Sequence, residues 1–211
     1  MMGLLLLGLV AAGGAGLPAG KPAPPKPVYP LTFASFEVQY RVSGIQRGTE
    51  ALAVLDHGRV LLVHVHDTLP DGTVTDSLRV VLPEGGVQVI NGDTLPLTIG
   101  WAFVERFIRF KLWRSLATGT PPAEGARFEP IGHETLLGKR CTTYDTYYLR
   151  RPTQISAYRG IPLLYVWMDS TATGSVVNEK RAVYLGIEQP IQDPVLRAAL
   201  GLVPEASTDQ R

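Results

Sequence analysis

Two runs of alternating apolar and polar residues, separated by one unbroken helical stretch, set the limits on how this chain can fold. In the segment FEVQYRV, residues 36–42, every second side chain is apolar. Alternation with a period of two is typical of a β-strand that buries one face. Asp71-Gly72 and Asn91-Gly92 separate such segments and favour hairpin turns. We therefore expect five or six antiparallel strands over residues 33–98.

The period changes at Trp101–Leu116, a segment without glycine or proline. Apolar residues recur there on two sides of a predicted helix, and Glu105 and Arg109 have the i, i+4 spacing of a stabilising ion pair. We expect this helix to lie in the hollow of a curved sheet and to be covered on its other side. The predicted lining of an apolar ligand cavity, which an ordinary core would equally explain, is Trp101, Phe103, Val104, Phe107, Ile108, Phe110, Leu112 and Trp113.

A second run of strands is predicted after the helix, at about residues 127–137, 140–149, 154–159, 162–169 and 175–187. Asp193, with Pro194 after it, is predicted to cap a short C-terminal helix that Gly201 ends. About ten hairpin-connected strands form an antiparallel sheet that must curl, close or leave exposed edges. We expect a mainly β (α+β) fold, a curled antiparallel half-barrel sheet wrapping one long helix, with a short C-terminal helix.

The N-terminus has the pattern of an exported protein. An apolar run at residues 4–12 is followed by small residues, as in a signal peptide, although no Lys or Arg precedes it. Residues 21–30, KPAPPKPVYP, contain five prolines and suit an extended linker. We expect a signal peptide at residues 1–20, the proline-rich linker at 21–30 and a single domain at 31–211. The processed protein would be periplasmic or in the cell envelope, and not integral to the membrane; a buried N-terminal helix is the alternative.

Composition and motifs exclude several classes of function. The formal net charge is +1 and no long run of one charge occurs, which argues against nucleic-acid binding. The single cysteine, Cys141, forbids an intramolecular disulfide. It is a small buried side chain or, less typically for a β segment, a reactive thiol. We find no catalytic motif and no cofactor motif, so the chain is expected to be non-catalytic.

His64 and His66 are the candidates for metal binding. In an extended strand the two imidazoles share one face, a geometry that suits Zn²⁺ or Cu²⁺. A third ligand would have to come from His133, Asp67 or Glu134. The alternative is a pair of polar residues facing solvent.

Four segments together carry a resemblance to a known family. They are GHETLLGKRCTTY at residues 132–144, AYRGIPLLYVW at 157–167, NEKRAVYLGIEQPIQDPVL at 178–196 and RGTEALAVLDHGRVLLVH at 47–64. Their pattern resembles small exported bacterial proteins of the LolA/LolB-type lipoprotein-carrier superfamily over about residues 33–195. The resemblance implies a curled half-barrel with helices in its concave face and an apolar cavity. The carriers have an arginine on an early strand, for which Arg41 is the candidate here.

The function expected from these features is a non-catalytic envelope protein that binds or carries a lipid, an acyl chain or a lipoprotein between sheet and helix. An envelope module with a filled core that binds a protein partner through a sheet edge is the alternative. A metal-binding protein based on the two histidines is a third hypothesis.

Overall fold

A computed structural model of the chain describes residues 33–149, 151–172 and 174–203. The predicted signal peptide and linker lie outside these residues. The described residues form eleven β-strands and two α-helices. The strands are β1 (Phe36–Ser43), β2 (Arg47–Leu55), β3 (Val60–Thr68), β4 (Val74–Leu82), β5 (Gly85–Ile90), β6 (Asp93–Leu97), β7 (Phe128–Leu136), β8 (Lys139–Tyr148), β9 (Arg151–Tyr158), β10 (Ile161–Thr171) and β11 (Gly174–Ile187). The helices are α1 (Ile99–Thr118) and α2 (Pro194–Ala199).

All eleven strands belong to one antiparallel sheet that is not closed into a barrel. Its order is β6-β5-β4-β3-β2-β1-β11-β10-β9-β8-β7. Every neighbouring pair is a hairpin except β1 and β11, which join the six strands before α1 to the five strands after it. The fold is therefore mainly β, as predicted, with one strand more than the ten expected.

Of the two hairpin turns predicted from the sequence, the one at Asn91-Gly92 has the expected geometry and the one at Asp71-Gly72 does not. Asn91 and Gly92 both have positive φ, 48° and 94°, which is the backbone that an Asn-Gly turn between two strands adopts. Asp71-Gly72 instead lies within a five-residue loop, 69–73, in which the Leu69 amide donates to the Thr73 carbonyl. That bond closes a loop longer than the tight turn that the Asp-Gly pair predicts.

Helix α1 begins and ends with local signals. The Thr98 hydroxyl accepts a hydrogen bond from the Trp101 amide, and Gly119 adopts a left-handed conformation with φ 71° after the last turn. The helix packs against β4 and β5 and also against β9 and β10, which lie on opposite sides of β1 in the sheet order. It therefore crosses the central strands.

The two faces of the sheet bury two separate apolar clusters. Since neighbouring side chains of a strand point to opposite faces, Leu52 and Val54 of β2 pack on the α1 side while Ala51 and Ala53 pack on the α2 side. The α1 cluster is the larger and includes Trp113, which is 1% exposed. Helix α2 covers the other face through Leu196.

Asp193 caps α2 as predicted, because its carboxylate accepts a hydrogen bond from the Leu196 amide at 2.8 Å and Pro194 is the first helical residue. Within the described part of the chain, neither helix has both the length and the apolar character needed to cross a bilayer.

Candidate functional site

A pocket of about 340 Å³ opens on the same face of the sheet as α1. Its apolar and aromatic walls come from β1, β3, β8 and β10 and from the turn after β8. These side chains are Val42, Val65, Tyr148, Leu149, Tyr165 and Trp167. Its polar lining is Gln46, Glu50, Asp67, Arg109, Arg151, Thr153 and Lys180. We call this space the central pocket; it combines a largely apolar wall with a charged floor.

Five charged residues of alternating sign form a continuous row from β4, across the first half of α1, to the floor of the central pocket. Arg79 lies 3.1 Å from Glu105, and Glu105 lies 2.8 Å from Arg109. Arg109 lies 3.3 Å from Glu50, and Glu50 lies 2.6 Å from Lys180. We call this row the charge ladder. It joins α1 to β4, β2 and β11, and each of its two carboxylates bonds two cations.

Electrostatics keep the central carboxylate ionised. Burial alone would raise the pKa of Glu50, but Lys180 and Arg109 beside it more than offset that effect and lower the pKa to about 2. The pKa of Arg109 is raised, since Glu50, Tyr148 and Glu105 outweigh the cost of its burial. Burial, Arg109 and Arg79 lower the pKa of Lys180 and Glu50 opposes them. A carboxylate with so low a pKa is a poor general base at neutral pH.

Aromatic rings surround the Lys180 ammonium group. Its Nζ lies 4.3 Å from the ring centroid of Tyr40 and 5.3 Å from that of Tyr165. The rings of Tyr148 and Tyr165 pack in a tilted arrangement with 5.6 Å between their centroids, and burial raises the pKa of both phenols. The floor of the pocket thus places a cation against aromatic rings.

Asp67 adds a second carboxylate to the pocket lining. Its Oδ1 is buried without a hydrogen-bond partner. Burial and the neighbouring Glu50 raise the pKa of Asp67, although Lys180 and His66 oppose them. Asp67 therefore takes up a proton more readily than an exposed aspartate.

The eight residues predicted to line a cavity divide into two groups along α1. Phe110, Leu112 and Trp113 are buried between the helix and the sheet, where Trp113 contacts Phe36 and Phe110. The other five are at least partly exposed on the opposite side of the helix, and Trp101 is 68% exposed. They are Trp101, Phe103, Val104, Phe107 and Ile108. None of the eight is among the residues that line the central pocket.

The expectation of a helix buried on two sides holds only for its C-terminal half. Phe110, Leu112, Trp113 and Leu116 are all buried, because this half lies over the centre of the sheet. In the N-terminal half one side packs on the sheet through Ala102, and the other side faces outward. With Ile99, the five exposed residues named above form what we call the outer face of α1.

His64 and His66 lie on the α2 side of the sheet, away from the central pocket. His64 Nε2 is 3.2 Å and His66 Nδ1 is 3.4 Å from the Asp76 carboxylate, and His64 Nδ1 is 3.7 Å from Asp193. His133 and Glu134 are on edge strand β7, and Asp67 points to the other face. Among the described residues, no three His, Cys, Asp or Glu side chains are grouped to hold a metal ion.

Cys141 is fully buried in the α1 cluster, and burial raises the pKa of its thiol. Both observations favour the structural role over the reactive one. Arg41, the candidate for the arginine of the lipoprotein carriers, is exposed on β1 and does not line the central pocket. The arginines that line the pocket are Arg109 of α1 and Arg151 of β9.

The sequence predicted one step of the charge ladder. Glu105 and Arg109 form the ion pair that their i, i+4 spacing indicated. The pairing of Glu50 with Lys180 was not predicted, because the two residues stand on different strands that are distant in sequence. The available signal was that each is a charged residue on the apolar side of its strand, Glu50 in phase with Leu52 of β2 and Lys180 in phase with Ala182 of β11.

Comparisons with known proteins give weak structural similarity only. No family model matches the chain, and no curated protein matches it. MucB of Pseudomonas aeruginosa, solved in its complex with MucA, has a TM-score of 0.37 and 16% identity over 75% of this chain. This chain spans about half the length of that one, 54%.

Two further solved structures match along most of both chains. An uncharacterised conserved protein from Thermus thermophilus has a TM-score of 0.47 and 11% identity, over 83% of this chain and 88% of its own. A protein domain from Vibrio parahaemolyticus, described as a putative outer-membrane lipoprotein-sorting protein domain, has a TM-score of 0.31 and 7% identity. The match covers 79% of this chain and 91% of that domain. These values are too low to assign a family or a function to this chain.

Proposed function

We propose that this chain is a non-catalytic binding protein for a lipid-like ligand, which it holds in the central pocket beside α1. The observation that carries this proposal is the pocket itself, with Val42, Val65 and Trp167 in its walls above the charged floor. Its volume, about 340 Å³, falls in the range of roughly 300–1,000 Å³ usual for ligand pockets. Such a lining suits an acyl chain that ends in a polar group.

The shape of the fold supports the same function. An open sheet of eleven strands with a helix across its central strands favours a half-barrel that wraps the helix. In that arrangement the ligand lies between sheet and helix, and Arg109 and Lys180 hold its polar end. The signal-peptide pattern at residues 1–20 and the resemblance to lipoprotein carriers support an exported protein of the periplasm or cell envelope. A lipoprotein acyl chain is then one candidate ligand.

A fluorescent sixteen-carbon fatty acid titrated into the protein tests this function. Gln46 is exposed at the pocket, so Gln46→Trp places a bulky ring in the opening without disturbing the core. We expect Gln46→Trp to weaken binding by roughly tenfold or more, since the ring takes the place of several methylenes.

Gln154→Trp is the matched control, because Gln154 is exposed on β9 and points away from the pocket-lining Thr153. It should bind the fatty acid like the wild type. Absence of binding in the wild type, or equal binding by wild type and Gln46→Trp, would refute the proposed site.

The alternative, a protein-interaction module that binds through a sheet edge, is less well supported. Edge strand β6 contains Pro96, and edge strand β7 contains Pro130 beside a register shift. Proline offers no amide hydrogen to an added strand, and such irregular edges are typical of sheets that resist further pairing.

A further inference from the structure

We propose that the outer face of α1 docks on a lipid bilayer that carries anionic headgroups. Six large apolar residues within ten positions are exposed there, and the exposed fraction of Ile99, Trp101 and Phe103 exceeds 60% for each. Exposed apolar patches of this kind mark interaction sites. Leu95 of β6, 50% exposed, lines the same groove as Trp101 and so extends the patch beyond the helix.

The face continues into basic residues along the same stripe of the helix. Phe103, Phe107, Lys111 and Arg114 follow one another at intervals of three or four residues and therefore lie in one line. The Phe103 and Phe107 rings stack at 5.5 Å, and Lys111 Nζ lies 5.2 Å from the Phe107 centroid. Lys111 and Arg114 are both exposed.

The positive charge of this stripe of α1 favours a negatively charged surface as its partner. Glu105 is the single acidic residue of α1, and it is turned to the sheet, where it bonds Arg79 and Arg109. The outward side of the helix is therefore apolar at its first turns, and the charged residues on that side at its later turns, Lys111 and Arg114, are both cationic. A helix with aromatic rings and basic residues on its outward side suits the interface of an anionic bilayer, with the rings at the acyl boundary and the basic groups at the phosphates.

A second copy of this chain fits the same face less well. In a symmetric dimer through α1, Lys111 and Arg114 would meet the identical stripe of the partner, which offers them no carboxylate. Burying these two cations without partners would oppose association.

Vesicle binding by the full chain tests this inference. Trp101 reports the environment of the face, so its fluorescence should shift to the blue with phosphatidylcholine–phosphatidylglycerol vesicles and shift less with phosphatidylcholine alone. Trp101→Phe should still bind but lose that change. Every variant carries the same N-terminus, so any binding through residues 4–12 contributes equally.

Two pairs of substitutions separate the apolar and cationic contributions. Phe103→Ser with Phe107→Ser should lower the vesicle partition coefficient by about tenfold or more. Lys111→Gln with Arg114→Gln should lower binding to the anionic vesicles by about fivefold for each charge and leave binding to the neutral ones unchanged. Val177→Ser with Val183→Ser removes two exposed apolar side chains of β11 and should have no effect.

Several results would overturn the inference. These are no vesicle binding, equal binding by the wild type and the two helix variants, or a dimer in solution that Phe103→Ser with Phe107→Ser dissociates. The last would assign the face to a second copy. Gln46→Trp should keep vesicle binding, so failure of the central pocket and failure of the docking face give different results.

Discussion

Glu50 is the residue on which the interior of the site depends. It stands on β2 and bonds Arg109 of α1 and Lys180 of β11, so a single carboxylate connects the helix with two strands on either side of β1. Its side chain is only 12% exposed. Removing one member of a buried ionic network is costly when it leaves an unpaired charge behind.

We predict that Glu50→Gln destabilises the protein by about 3–5 kcal/mol, because Lys180 loses its carboxylate and Arg109 keeps only Glu105. Lys180→Met should cost roughly 2 kcal/mol or less, because Glu50 then keeps Arg109 and the methionine fills a similar volume. Denaturant unfolding of both variants measures the difference. Equal losses would contradict the central role assigned to Glu50.

Glu50 also makes stability depend on acid pH. Its folded pKa of about 2 lies below the ordinary value of 4.5, so the unfolded chain takes up the proton more readily. The stabilisation is fully present above about pH 4.5 and is lost as the pH falls toward 2. The free energy of unfolding of the wild type should fall across that window, and that of Glu50→Gln should fall less. A wild type and variant with parallel pH profiles would contradict the assigned pKa.

At the scale of elements, α1 has two different halves. Its C-terminal half is a core helix, with Trp113 packed on Phe36 and Phe110. Its N-terminal half has one side on the sheet and the apolar outer face turned away from it. The same residue types thus serve stability in one half and, in our proposal, membrane docking in the other.

Two tryptophans of α1 test this division directly. Trp113→Ala should destabilise the protein by about 3–5 kcal/mol, since it leaves a cavity in the α1 cluster. Trp101→Ala should change the free energy of unfolding by no more than about 0.5 kcal/mol, because its ring is largely exposed. Guanidinium unfolding monitored by circular dichroism gives both values. A large loss from Trp101→Ala would show that the outer face is part of the core.

The elements themselves could be read from local pattern. Alternation predicted the strands on both sides of α1, and the predicted helix Trp101–Leu116 is observed as Ile99–Thr118. Periodicity did not predict which apolar side of α1 is covered. Phe103 and Phe110 are the same residue type in the same predicted helix, yet Phe103 is exposed and Phe110 is buried. The difference arises from where each half of the helix meets the sheet.

At the scale of the whole molecule, the pairing of β1 with β11 joins two sets of hairpins into one sheet. No local signal encodes that long-range pairing, although a single sheet was expected from the number of strands. The pairing brings Glu50, on β2, and Lys180, on β11, to either side of β1. The central pocket therefore depends on a contact between distant parts of the chain, which is why its lining could not be predicted.

The most direct test of the central claim is a crystal structure of the protein grown with a sixteen-carbon fatty acid or a lysophospholipid. We predict one acyl chain beside α1, in contact with Val42, Val65 and Trp167, with its polar end toward Arg109 and Lys180. A central pocket filled only by water, with the ligand absent or bound elsewhere, would contradict the account.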